Sequence, residues 1–182
     1  MAARTRLSTS VLLTCAAIGV ATGALQAGAG AISGFVVAGA PILYGLVLGV
    51  HVLPGVVAQD LLRRPWVALI THMIAALVAS AVLPLWIGRY IGTALLIGGL
   101  QELIAAASRY QRWDKWRFFL SAVIVGAVIA VAIWFAADVS QFPLWGQIVY
   151  VALFVAGPVL WTAVGLAIGS ALRRAGVARR SR

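Results

Sequence analysis

Acid is what this chain lacks most. Its 182 residues carry four Asp and Glu against fourteen Lys and Arg, and charged residues of both signs make up only 10%. A soluble domain is about 25% charged and about 45–50% apolar. Here 63% of residues are hydrophobic and the mean hydropathy is +1.05. A small domain leaves much of its surface exposed, so 19.1 kDa of protein cannot hide this excess from water. The apolar solvent must be lipid, which excludes a soluble enzyme, a secreted disulfide scaffold and a disordered chain. The single cysteine, Cys15, excludes an internal disulfide and a multi-cysteine metal site. Also missing are an H-E-x-x-H pair, a G-x-S-x-G elbow, a P-loop and paired catalytic carboxylates. Without a nucleotide-binding motif, the sequence cannot itself couple ATP hydrolysis to transport.

What is present is a series of long apolar runs. A helix needs about 20 apolar residues to cross the hydrocarbon core. Six stretches qualify, at about 7–25, 41–62, 66–85, 91–108, 118–137 and 144–172. The expected fold is therefore all-α: one polytopic domain over 1–182 with six transmembrane helices and a basic tail at 173–182. The first run follows a short basic leader, which is also the pattern of a signal peptide. Its length, and its continuation into further membrane sequence, favour a retained first span. A Gly- and Ala-rich connection is expected at 26–40, and Pro54 and Pro158 are expected to kink spans two and six.

Charge placement orients the layout, because cytoplasmic loops collect Lys and Arg. With both termini cytoplasmic, the inner side holds Arg4, Arg6, Arg63, Arg64, Arg109, Arg112, Lys115, Arg117, Arg173, Arg174, Arg179, Arg180 and Arg182. That is 13 of the 14 basic residues, and only Arg89 falls outside. Odd numbers of spans would scatter these charges. The expected location is the plasma membrane, and the cations read as topology signals and lipid contacts rather than a nucleic-acid surface. Trp66, Trp113 and Trp116 fall near one boundary and Trp86, Trp134 and Trp145 near the other, as in an aromatic belt.

Small residues recur four apart: Ala17 with Ala21, Gly19 with Gly23, Gly45 with Gly49, and Gly165 with Gly169. Such pairs permit close helix packing, either within one bundle or against a second membrane subunit. Ionisable groups inside the spans are few and default to functional candidates. Asp60 has Arg63 and Arg64 three and four positions on, which suggests a local ion pair. Asp138 falls at a membrane boundary. Glu102 is mid-span with no basic neighbour one turn away, so it must be paired across helices, protonated, or facing a wet cavity. His72 falls at a similar depth, as structural partner or ligand contact, and Gln101 adjoins. Adding His51 gives three helices a possible common pocket of His51, His72, Gln101 and Glu102. A membrane enzyme or metal protein using His51, His72 and Glu102 is the alternative, although the spacing lacks any metal signature. A scaffold without ligand is the third reading.

The stretches HVLPGVVAQDLLRRPWVALITHMIAALVAS, from His51, and GLQELIAAASRYQRW, from Gly99, resemble the substrate-binding (S) components of energy-coupling factor (ECF) transporters, in the YkoE-like group. The matching features are Arg63, Arg64 and Pro65, the run Ile74 to Val78, and Glu102 ahead of Arg109, Tyr110 and Trp113. The likeness covers about Gly45 to Trp113. The chain departs from the group at His51, His72 and Ala79, where the group often carries Trp, Glu and Glu. The resemblance implies a six-helix vitamin-capturing subunit with no cofactor of its own. It would work with a transmembrane coupling (T) subunit and two cytoplasmic ATPases. It implies docking on the T subunit through Ala17, Gly19, Ala21 and Gly23. It also implies thiamine or its hydroxymethylpyrimidine precursor as cargo, with Glu102 accepting hydrogen bonds from an aminopyrimidine.

Overall fold

The computed structural model describes residues 7–177, and Arg4, Arg6 and the tail arginines from Arg179 onward lie outside that range. Every regular element described is helical: α1 (Thr9–Gly39), α2 (Tyr44–Leu48), α3 (Leu53–Leu62), α4 (Val67–Val82), α5 (Ile87–Ala107), α6 (Lys115–Ala136) and α7 (Leu144–Arg174), joined in places by single 3-10 turns. Five spans are long and apolar enough to cross a membrane, namely α1, the α2–α3 stretch, α5 with its leading turn, α6 and α7. The 16-residue α4 is shorter and strongly apolar. Helices are what lipid permits, since each backbone group left without a partner costs several kcal/mol there.

That cost explains the largest departure from expectation. Residues 26–40 do not form a connection, because α1 runs unbroken to Gly39. Glycine weakens a helix in water, but where no water can satisfy the backbone the helix remains the best option. Ser8 caps the start, its Oγ accepting from the Val11 N–H at 3.4 Å. Other boundaries move by a few residues. α5 and α6 begin at Ile87 and Lys115 rather than at 91 and 118, and α4 ends at Val82 because Pro84 restricts Leu83. Arg173 and Arg174 belong to α7 rather than to a tail.

The second span is the axis of the molecule. Residues Gly49 to Leu61 are all buried, a continuous run found on no other helix. It is also broken. A 3-10 turn at Gly49–Val52 separates α2 from α3, just ahead of Pro54, so the expected kink is an interruption. Pro158 by contrast lies within the continuous α7. Glycine makes this crowding possible: a Cβ on Gly49 would meet the Gly157 carbonyl oxygen at 2.7 Å and Pro158 N at 2.8 Å. α7 therefore approaches α2 and the 3-10 turn backbone to backbone. α1 packs chiefly on α4, α4 on α5, and α6 on α7.

Asp60 marks one end of the bundle. It pairs with Arg173 of α7 at 2.5 Å, and not with Arg63 or Arg64 as the spacing suggested. The physical reason is local. Arg63 adopts a left-handed conformation (φ 51°) that terminates α3, so residues 63 and 64 turn away and are exposed. Asp60 instead fills the notch left by Gly169, where a Cβ would collide with its carboxylate. The loops carrying Arg63 and Arg64, and Arg109 to Arg117, sit at this same basic end.

Candidate functional site

A cleft opens at the opposite end, between α1, α2, the 3-10 turn and the start of α5. It is lined by Gly30, Ser33, Tyr44, Leu48, His51, Trp86, Arg89, Tyr90 and Thr93, and encloses about 40 Å³. Each wall has a local cause. Pro84 starts the turn that sets Trp86 and Arg89 at the rim, and the guanidinium lies over the Trp86 ring at 4.3 Å. Arg89 Nη2 donates to the Tyr44 hydroxyl at 2.8 Å, forming a bar from α5 to α2. Beneath it, the His51 and Tyr90 rings stack at 6.2 Å with 14° between planes. At the break in the second span, the Leu48 carbonyl accepts from His51 Nδ1 at 3.1 Å. This bond fixes the tautomer and leaves Nε2 as an acceptor. The Tyr90 hydroxyl donates to the Gln26 carbonyl at 3.4 Å, and Gly30 is the residue whose lack of a Cβ lets that hydroxyl in. The cleft offers aromatic faces, hydroxyls, one imidazole acceptor and one fixed cation, with no carboxylate in its wall.

Of the site residues expected from sequence, the structure puts His51 in this cleft and the others elsewhere. His72 pairs with Gln101, not with Glu102: His72 Nε2 donates to Gln101 Oε1 at 2.9 Å. Gln101 Nε2 in turn donates to the Val52 carbonyl at 3.2 Å, and Gln59 Nε2 to the Gln101 carbonyl at 3.3 Å. Gly55 provides the room, since a Cβ there would sit 2.8 Å from His72 Nε2. This is a closed polar bridge across the middle of the bundle.

Glu102 lies nearer the basic end. Its Oε1 accepts from the Ala68 N–H at 2.8 Å and its Oε2 from the Trp66 N–H at 3.0 Å. These are orphan donors at the start of α4, where Trp66 sits at φ 68° and has no local cap. The carboxylate is thus paired across helices, as its burial demanded, but with a helix N-terminus rather than a histidine. Tyr110, in the turn after α5, has its phenol pushed up to about 12 by burial and then by this neighbouring carboxylate, so it stays protonated beside it. The expected common pocket of His51, His72 and Glu102 does not assemble. Among the described residues, no three of His, Cys, Asp and Glu lie close enough to hold a metal ion.

The four small residues of α1 divide. Gly19 and Gly23 are buried against α4, where added Cβ atoms would meet Ile74 and Val78 at 2.7 and 2.8 Å. Ala17 and Ala21 are exposed on the other face. Sequence reasoning missed Tyr44, Trp86, Tyr90, Thr93 and Arg89. One signal for the last was available, because Arg89 was the single cation outside the basic side.

A family model for the permease component of ABC-type cobalt transport systems matches residues 11–128, well over half of the chain. The chain belongs to this family. No curated protein matches the permease sequence significantly. Among solved structures it is similar to one described as the crystal structure of an S-component of ECF transporter. The TM-score is 0.82, over 95% of this chain and 89% of that one, at 17% identity. An identity that low speaks to the fold alone. The permease is thus a multi-pass membrane protein with an S-component-like fold, and family and fold together imply a non-enzymatic transport subunit. The membership confirms the transport class that the resemblance implied, without reaching the thiamine-related group.

Proposed function

We propose that this permease is the substrate-capturing S component of an ECF-type importer. It forms one six-span domain in the plasma membrane with both termini cytoplasmic, and residues 173–182 are a cytoplasmic basic segment. The cations at one end support that orientation, because cytoplasmic loops collect them. The cleft at Arg89 then faces outward and receives the cargo, while a T subunit and two ATPases supply the energy. Ala17 and Ala21, on the open face of α1, are the proposed contacts with the T subunit.

The observation that carries this reading is the cleft itself, closed over by the Arg89–Tyr44 bond and walled by Trp86, Tyr90 and His51. Stacked rings and hydroxyls suit a small planar vitamin or vitamin precursor. The guanidinium favours a neutral or anionic molecule, such as hydroxymethylpyrimidine, over cationic thiamine. Ligand sites are typically about 300–1,000 Å³, so the Arg89 bar must swing out before a ring can enter. Cobalt, named for the family, is the second reading. A bare divalent ion would find one imidazole beside a guanidinium there, a poor set of donors.

Titration calorimetry on the purified chain tests both readings with hydroxymethylpyrimidine, thiamine and Co²⁺ in parallel. The expected result is binding of the neutral pyrimidine, weakened about tenfold or more by Arg89→Ala through loss of a charged hydrogen bond. Stoichiometric Co²⁺ binding abolished by His51→Ala would establish the metal reading instead.

A further inference from the structure

We propose a second ligand site at the basic end of the bundle, a phosphate-binding cleft between the end of α5 and the first turns of α6. Beside the apolar Ile104, Ala105 and Phe118, its wall includes Gln59 and Gln101 from the interior, Arg112 and Trp113 from the loop, and Arg117 and Ser121 from α6. The enclosed floor is about 20 Å³, room for one oxygen atom, and Arg112 at its edge is exposed.

Two buried polar groups here have no partner in the protein. The Ser121 hydroxyl is unpartnered although the residue is only 6% exposed, and so is Arg117 Nε. Buried polar atoms are normally satisfied, so each orphan calls for a ligand. Arg117 Nη1 is spent on the Arg112 carbonyl at 3.3 Å, which holds the guanidinium in place while leaving Nε free. The local charge has the same implication. α6 opens with Lys115 and Arg117, has no acid in its first turn, and receives no side-chain cap from Asp114. Cations at the positive end of a helix repel it and one another unless an anion lies among them. Asp114 is exposed and is not part of the cleft wall.

The guest that fits is a tetrahedral oxyanion. One oxygen enters the floor and accepts from Ser121 Oγ and Arg117 Nε, and the remaining oxygens face Arg112. Arginine forks match phosphate geometry, and Trp113 sits beside them as an interfacial ring does at headgroup level. An anionic lipid headgroup and a free phosphate ester share this chemistry.

Native mass spectrometry of the full chain in mild detergent tests the site with phosphatidylglycerol, phosphatidylcholine and inorganic phosphate as probes. Preferential retention of phosphatidylglycerol identifies a lipid headgroup. Binding of inorganic phosphate that competes with the lipid identifies a soluble source, and both results support the cleft. Arg117→Gln should lower retention about tenfold. Ser121→Ala, a change too small to unfold the bundle, should lower it about threefold. Arg64→Gln removes the same charge from the same end and should leave retention unchanged. Equal retention of both lipids with no phosphate binding overturns the proposal. So does a loss in Arg64→Gln as large as that in Arg117→Gln, since binding would then be diffuse.

Discussion

Glu102 offers the sharpest separation between a ligand contact and a fold contact. If its carboxylate holds the start of α4, replacing it costs stability and leaves cargo affinity alone. The bond to Ala68 N is fully buried, and a hydrogen bond to a charged group is worth about 1.5–3 kcal/mol. Trp66 is 54% exposed, so water partly replaces the second bond and its loss costs nearer 1 kcal/mol. Glu102→Ala should therefore destabilise by about 2.5–4 kcal/mol. Glu102→Gln retains one neutral acceptor and should cost about 1.5–2 kcal/mol. For a chain of this size, each kcal/mol moves Tm by about 2–4 °C, giving a fall of roughly 3–8 °C for the amide. Thermal unfolding in detergent reads the first quantity, and a cargo titration well below the new Tm reads the second. A Glu102→Gln protein with unchanged Tm and weakened cargo binding would refute the capping role and return the residue to the binding site.

The two faces of α1 should respond oppositely to bulk. Ala17→Leu, on the exposed face, should leave Tm unchanged and reduce co-purification with a T subunit. Gly19→Leu should lower Tm by several degrees or prevent folding, because its Cβ alone already meets Ile74 at 2.7 Å. Size-exclusion profiles and pull-down yields distinguish the two. Arg173→Ala should destabilise by about 2–3 kcal/mol, since it strands a buried Asp60 carboxylate. Arg63→Ala and Arg64→Ala should each cost less than about 0.5 kcal/mol, the usual range for exposed positions. Equal effects of all three in thermal melts would mean that Asp60 exchanges partners freely.

Hydropathy made the spans legible because lipid imposes a length and a composition on each of them. It failed at 26–40, where Gly28, Gly34 and Gly39 suggested a flexible connection. Those glycines have no atom within 4 Å of a would-be Cβ, so they lie on an open face of α1 rather than in a turn. Pairing was less legible than spans. Asp60 chose Arg173, and Glu102 chose the backbone of Trp66 and Ala68, partners far away in sequence. Neither choice could be read without knowing that Arg63 turns left-handed and ends α3. In one dimension the nearest opposite charge looks like the partner; in the folded chain the nearest orphan donor wins.

The same reasoning tempers the rule that a polar side chain inside a membrane signals function. The second span is interrupted at Gly49–Val52, and Pro54 has no N–H to donate, so its backbone ladder is irregular there. Three polar side chains donate to carbonyls around this interruption: Trp161 Nε1 to Leu46 at 2.9 Å, His51 Nδ1 to Leu48 at 3.1 Å and Gln101 Nε2 to Val52 at 3.2 Å. Gln101 then occupies His72, and the account of that group closes within the protein. Much of the intramembrane polarity is thus gathered around one broken helix. In the cleft at Arg89 two groups are not absorbed by it, namely the second ring nitrogen of His51 and the Arg89 guanidinium, which no buried carboxylate neutralises. Both give a molecule bound in that cleft chemistry to answer.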